Sequence, residues 1–504
     1  MANTVVISRS HLIYGLCLPL AVLIGYMLAE PLESGSVAVV VMVLTVLCIP
    51  AAMRWHFPLL VFSCNAAMAF YFLPGRPPLW ILTTALSTFF LLLNRAMGQK
   101  LDFFRARQVS HSLFFFGAVV LGTAYLTGGI GFGSLGNNTG GGRRYAYIYL
   151  SIALYFALST ISIPRRYARL ATAAFFLSSL TGLMGYVAMA GGPAFNFLVE
   201  FFPIEGTMNE MSSMTPDFTS NGMVRLASLT QASTGLFCFL MAWYGARGVL
   251  DLTKPWRLIL LSAAGVAATY SGFRSSIIMA ALIFAAMFYL EGLFRTRYFL
   301  LLSLLAILGG AVALPFAQKL PLSVQRSLCF LPINVDPIVQ ANAEDSTDWR
   351  IQMWQEVLPT VPKYLIKGKG FAVDQADLDL VIRNKFSRDY DGAMASGDYH
   401  SGPLSLIIPL GIFGVIGFVW FLVASMKVLR SNYRYGDPEL KTINMFLMAF
   451  FAVRIFFYFF IFGSLYSDLF FFTSLIGLSV SLNHGVCQPS KAITADTEIA
   501  EEEL

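Results

Sequence analysis

Permanently charged guanidinium forks match phosphate oxygens two at a time, so arginines at the ends of apolar runs are the first residues to ask about. Arg225 stands in Asn221-Gly222-Met223-Val224-Arg225-Leu226 at the start of one such run, and Arg274 stands in Ser271-Gly272-Phe273-Arg274-Ser275 between two others. Expected on one face of a membrane, the two suit a lipid-linked phosphate or pyrophosphate. Each alone also fits a helix anchored to lipid headgroups. Histidine is the side chain whose charge changes near neutral pH, and the chain has five. His11, His56, His111 and His484 fall at expected cytoplasmic helix ends, whereas His400 lies on the other side, in Gly397-Asp398-Tyr399-His400-Ser401-Gly402, directly before an apolar run. It reads either as a functional imidazole at the mouth of a bundle or as an interfacial ring snorkelling at a helix start.

Arg454 differs from these, because it lies deep in the run Phe450-Phe451-Ala452-Val453-Arg454-Ile455-Phe456-Phe457. A charge there costs about 2.5 to 3.5 kcal/mol on the insertion scale, so it should face the bundle interior and a partner. Asp468 is too far along the chain to be that partner within one helix. An ion pair, a carbonyl cap and a substrate contact all remain open. The acidic positions Asp374, Asp377 and Asp379, and the run Asp389-Tyr390-Asp391, lack the glycine and terminal glutamate of a calcium loop and have no nearby histidine, so no metal site is expected. No phosphate-loop Gly-Lys-Ser/Thr and no His-Glu-x-x-His motif occurs either.

The elements that must position these residues are transmembrane helices. Of the 504 residues, 57% are hydrophobic and only 12% are charged. Soluble domains carry roughly 25% charged residues, so this composition excludes a soluble enzyme, a disulfide scaffold and a nucleic-acid binder. The mean hydropathy is +0.68. Apolar runs of spanning length suggest an all-α polytopic membrane protein with about fourteen transmembrane helices. The first of them, at 11–29, lacks a cleavage site and should remain in place. Residues 257–290 read as one long helix or as two meeting at Arg274, and the polar residues there favour the turn. Lys and Arg concentrate on one side when both termini are placed in the cytoplasm.

This parity divides the chain into N-terminal transmembrane helices at 1–190, an outer loop and central helices at 191–316, a large periplasmic loop at 317–402, C-terminal helices at 403–483 and a cytoplasmic acidic tail at 484–504. The large loop is far longer than ordinary connections and should be folded. Its stretch 348–361 carries Trp349, Ile351, Trp354, Val357 and Leu358 at amphipathic helical spacing, followed by the turn Lys367-Gly368-Lys369-Gly370-Phe371.

In their order, these elements resemble the O-antigen ligase and polymerase superfamily of bacterial envelope glycan assembly. The resemblance rests on Arg225 opening a span, the Ser-rich turn at Arg274, Asp348-Trp349-Arg350 with Trp354 leading to Gly368-Lys369-Gly370-Phe371, and Tyr399-His400 before Gly411-Ile412-Phe413-Gly414. It departs from the pattern at Ser401, where Asn is common, and at Phe273, where Ser is common. The resemblance implies a helical bundle of the C-type glycosyltransferase kind in the bacterial inner membrane, with its active face periplasmic. It also implies transfer of a glycan from undecaprenyl diphosphate to a hydroxyl of a lipid, glycan or protein acceptor, without a metal or other cofactor. On this view His400 is the general base, and Arg225 and Arg274, with Arg350 as a further candidate, hold the diphosphate. The rival reading is a lipid or polysaccharide transporter, in which the arginines line a translocation path. Such proteins often show related halves, and the two halves here differ in loop size.

Overall fold

The computed structural model describes residues 34–128, 139–202, 225–374 and 391–489, with scattered positions between 18 and 25. Most of the run 11–29, the segment 203–224, Asp377, Asp379, Asp389, Tyr390 and the tail from 490 lie outside the described residues. Met1–Phe57 and Pro58–Leu504 are separate compact units. The described part of the first is mainly the opening of helix α1, Ser34–Ser63.

The second unit is built from helices. In chain order they are α2 Leu79–Ala96, α3 Arg107–Thr127, α4 Gly142–Thr160, α5 Arg165–Leu177, α6 Met184–Gly191, α7 Ala227–Val249, α8 Pro255–Tyr270, α9 Arg274–Leu290 and α10 Arg297–Ala313. After these come α11 Leu322–Leu328, α12 Pro337–Val357, α13 Asp391–Ser396, α14 Gly402–Tyr435, α15 Lys441–Phe460 and α16 Leu465–Leu482. Apart from an antiparallel pair of two-residue strands, Thr139–Gly140 with Val373–Asp374, the described architecture is helical. Six helical segments are long and apolar enough to cross a membrane, and three shorter apolar helices accompany them. The expected number of about fourteen goes beyond these. Helices such as α8 and α9, with 16 and 17 residues, extend only about 25 Å at 1.5 Å per residue, short of a hydrocarbon core of about 30 Å.

Residues 257–290 form two helices rather than one. Gly272 takes a left-handed φ of +78° between α8 and α9, which glycine adopts without a Cβ clash. The carbonyl of Ser271 in the same turn accepts the backbone N–H of Leu226 at 2.9 Å, so the start of α7 is tied to the start of α9. Their other ends are tied as well. Helix α7 breaks at Gly245, and the freed N–H groups of Ala246 and Arg247 donate to the Glu291 carboxylate, just past α9, at 2.8 and 2.6 Å.

Helix α12 is longer than the amphipathic stretch at 348–361 suggested. Pro337 occupies its first turn, and Asp336 caps it by accepting the N–H of Ile338 at 2.9 Å. Its buried face is Val339, Ala343, Met353 and Val357, with Trp349 and Trp354 half-buried, while Ile351 and Leu358 are exposed. Helix α14 is broken at Pro409 and Gly411, whose φ is +64°. The break frees backbone groups that the Gly-rich turn satisfies. Lys369 N–H donates to Ile408 O at 2.7 Å, Gly370 N–H to Pro409 O at 2.9 Å, and Ile412 N–H to Leu365 O at 2.7 Å. A Cβ on Gly411 would lie 2.7 Å from Leu365 O, so the approach requires glycine on the helix side too.

Candidate active site around His400 and an arginine group

His400 sits on a tight turn between α13 and α14, and its backbone is left-handed at φ +48°, a conformation that a non-glycine residue holds only when its surroundings impose it. The surroundings are on both sides. Asp398 N–H donates to Ala393 O at 2.8 Å, and the Trp354 indole N–H donates to Tyr399 O at 2.8 Å. Beyond the histidine, the Tyr458 hydroxyl donates to Gly402 O at 2.8 Å, and Leu465 N–H donates to the Ser405 hydroxyl at 3.0 Å. A Cβ at position 402 would lie 2.1 Å from Tyr458 O, so the opening of α14 meets α15 as glycine or not at all. Under the turn, Met353, Val357, Tyr399, Leu404 and Ile408 pack as one apolar cluster.

The imidazole lies edge-on to Trp349, with ring centroids 5.1 Å apart, and 5.3 Å from the ring of Phe462. Its Nδ1 is buried and without a hydrogen-bond partner. Burial pulls the His400 pKa below its ordinary value; Asp398 opposes that shift and Arg350 adds to it. The ring is therefore neutral at pH 7 and able to accept a proton. Neighbouring Tyr399 is buried and its hydroxyl is pushed up to about 12, so it stays protonated.

Beside the histidine, four arginines converge. Arg350 follows Trp349 on α12, and its guanidinium lies 5.9 Å from the Phe462 ring centroid. Arg274, at the first turn of α9, points at α12 and donates at long range to Ala343 O, 3.4 Å, and Thr347 Oγ1, 3.5 Å. Arg225 is held next to Arg274 by the Leu226–Ser271 bond. The fourth is Arg326 on α11, which is only 7% exposed. Desolvation draws its pKa down to about 10, with Arg225 and Arg274 as the next causes and Arg350 a smaller one, while Cys329 acts in the opposite direction. Arg225 is exposed overall, yet loss of water around its guanidinium, then Arg350 and Arg274, also lowers its pKa. Arg350 is lowered by burial and then by Arg274.

No carboxylate among the described residues forms an ion pair with any of the four. Four like charges gathered without a counter-ion among the described residues, in a partly buried site, are costly unless an anion joins them. Among the described residues no three His, Cys, Asp or Glu side chains converge as a metal-binding set.

Arg454 is placed elsewhere. Its Nη2 lies 2.7 Å from Asp468 Oδ1, and the other carboxylate oxygen accepts the Ser464 N–H at 2.8 Å. Sequence distance within one helix excluded Asp468, but the chain reverses between α15 and α16 and brings the two face to face. The ion pair, one of the three readings left open, is the one found. Arg454 also lines a largely apolar cavity of about 540 Å³, whose wall includes Phe273, Ser275 and Ser276 around the Arg274 turn.

Thus Arg225, Arg274, Arg350 and His400 come together, Arg454 does not join them, and Arg326 was not singled out from sequence. Its signal was a lone arginine in Leu322-Ser323-Val324-Gln325-Arg326-Ser327-Leu328, a short, mostly uncharged stretch inside the long loop. Residues 257–419 match the family model described as O-antigen ligase, which supports the O-antigen ligase and polymerase superfamily. The matched stretch takes in Arg274, Arg326, Arg350 and His400, and Arg225 precedes it. No curated protein matches the chain.

Proposed function

We propose that this multi-pass membrane protein of the O-antigen ligase and polymerase superfamily moves a glycan from a polyprenyl diphosphate to a hydroxyl acceptor at the periplasmic face of the bacterial inner membrane. The observation that carries the reading is the convergence of Arg225, Arg274, Arg326 and Arg350 beside a neutral, half-buried His400. A diphosphate ester leaving group carries its charge on oxygens that guanidinium forks fit, and the charge grows as the bond to the sugar breaks. The arginines are positioned to take up that charge, a role that a divalent cation fills in many glycosyltransferases.

His400 accepts the proton of the acceptor hydroxyl as the oxygen attacks the anomeric carbon. The diphosphate leaves with the bonding electron pair. Arg350 is coupled electrostatically to both His400 and Arg274, which supports a role for it between proton transfer and diphosphate binding. The test is transfer by purified protein in lipid nanodiscs, given one undecaprenyl-diphosphate glycan and, separately, lipid A core, a second lipid-linked glycan or a hydroxyl-bearing peptide. Transfer to one of these, persisting in EDTA, is expected. Absence of transfer to all three, with donor intact, would contradict the reading.

A further inference from the structure

Two buried polar atoms on the His400 turn lack hydrogen-bond partners, and they are chemically complementary. Asp398 Oδ1 accepts only, and His400 Nδ1 can donate. They belong to residues two apart on a turn curled by left-handed backbone at both Gly397, φ +70°, and His400, φ +48°. The main chain between them is pinned on each side, by Asp398 N–H to Ala393 O and by Trp354 Nε1–H to Tyr399 O.

We propose that Asp398 is the positioning residue for His400: the two atoms are not bonded to each other in this structure, and during transfer the carboxylate accepts the Nδ1–H, fixes the tautomer whose lone pair is on Nε2, and steadies the imidazolium. The proposal rests on the transfer reading above and extends it to a residue that neither the sequence motifs nor the family match assigns. Among the described residues, the rings of Trp349 and Phe462 pack against His400, and the charges of Arg350 and Asp398 act on it. Only the last can accept a hydrogen bond from the ring while favouring its protonated form. Arg350 acts the other way. An imidazole left to Arg350 and burial alone would be a poor base, and the carboxylate restores part of its basicity.

In the step itself the acceptor O–H gives its proton to Nε2, the oxygen bonds to the anomeric carbon, and the carbon–oxygen bond to the diphosphate breaks with its electron pair leaving on the diphosphate. The imidazolium returns its proton to solvent.

Two readouts on folded, monodisperse protein test this, comparing wild type with Asp398→Asn and Asp398→Glu. The first is the pH profile of glycan transfer. The second is carbethoxylation of His400 by diethyl pyrocarbonate across pH, read by peptide mass, which needs no transfer activity. Asp398→Asn should slow transfer by about 100-fold and move both midpoints to lower pH, because a charge that holds the proton on His400 is gone. Asp398→Glu should keep midpoints close to wild type. If Asp398→Asn does not fold, Asp398→Ser carries the same comparison. Unchanged midpoints in the neutral variants would overturn the proposal. A carbethoxylation midpoint that depends on Asp398 in a protein that transfers no glycan would uphold the pair and sink the transfer reading instead.

Discussion

The indole nitrogen of Trp354 donates to the carbonyl oxygen of Tyr399 at 2.8 Å, joining helix α12 to the residue immediately before His400. Through this bond one helix holds both Arg350, among the arginines, and the histidine turn. Trp354→Phe keeps the ring and removes the donor. A lost hydrogen bond of this kind costs about 1 kcal/mol of stability, so thermal melting should shift only slightly while transfer at saturating donor falls several-fold. A variant as active as wild type would show that α12 does not set the histidine's position.

Arg326→Gln separates ligand binding from folding. The arginine is buried among like charges, so its removal should leave the melting temperature of donor-free protein unchanged or higher. Donor KM should rise about 10- to 100-fold, the equivalent of one charged hydrogen bond of about 1.5 to 3 kcal/mol. Calorimetry and donor titration read the two effects separately.

The pH dependence follows from the depressed pKa of His400. The base must be neutral, so transfer should stay on its plateau below the ordinary histidine value of about 6.5 and fall only as pH drops through the lower folded-state pKa. Stability has the same sign. The folded protein binds this proton less readily than the unfolded chain, so the contribution is full above about pH 6.5 and is lost as pH falls through the folded pKa. Transfer rates and melting temperatures between pH 4.5 and 8 check both.

Arg454 and Asp468 should matter for assembly rather than chemistry. Their side chains are 13% and 14% exposed and meet inside the bundle. Removing one partner of a buried pair costs about 3 to 5 kcal/mol, so Asp468→Asn should lower the folded yield sharply. Arg454→Met with Asp468→Leu should recover yield and retain transfer. A double variant that folds but transfers nothing would return Arg454 to the substrate path.

Gly370 pairs with Pro409 O across the broken helix α14 at φ +75°, and a Cβ there would lie 2.1 Å from Thr127 Oγ1. Gly370→Ala should therefore cost about 1 to 2 kcal/mol from backbone conformation alone, with the clash added. Limited proteolysis should cut within the segment that precedes α14 sooner than in wild type.

The grouping of the candidate residues was more legible than the architecture. His400, Arg225 and Arg274 stood out because topology did not need them, and the sequence elements flanking Arg350 were visible as motifs. Arg326 was hidden because nothing local distinguishes one arginine in a long loop; only packing of α11 brings it to the others. The Arg454–Asp468 pair was hidden by a chain reversal. Gly368-Lys369-Gly370 and Gly411 were seen as separate motifs, although each exists to let the other approach, a relation between distant segments that spacing does not encode. Hydropathy alone does not separate crossing helices from shorter ones, since α8 and α9 are as apolar as helices long enough to cross.

In the proposed division of labour, His400 moves the proton while the arginines hold the donor. The most direct measurement is single-turnover glycan transfer by His400→Ala protein already saturated with lipid-linked donor, alongside its donor affinity. Wild-type donor affinity with transfer slowed by about 100-fold or more is expected. Full transfer by a correctly inserted His400→Ala protein would contradict it.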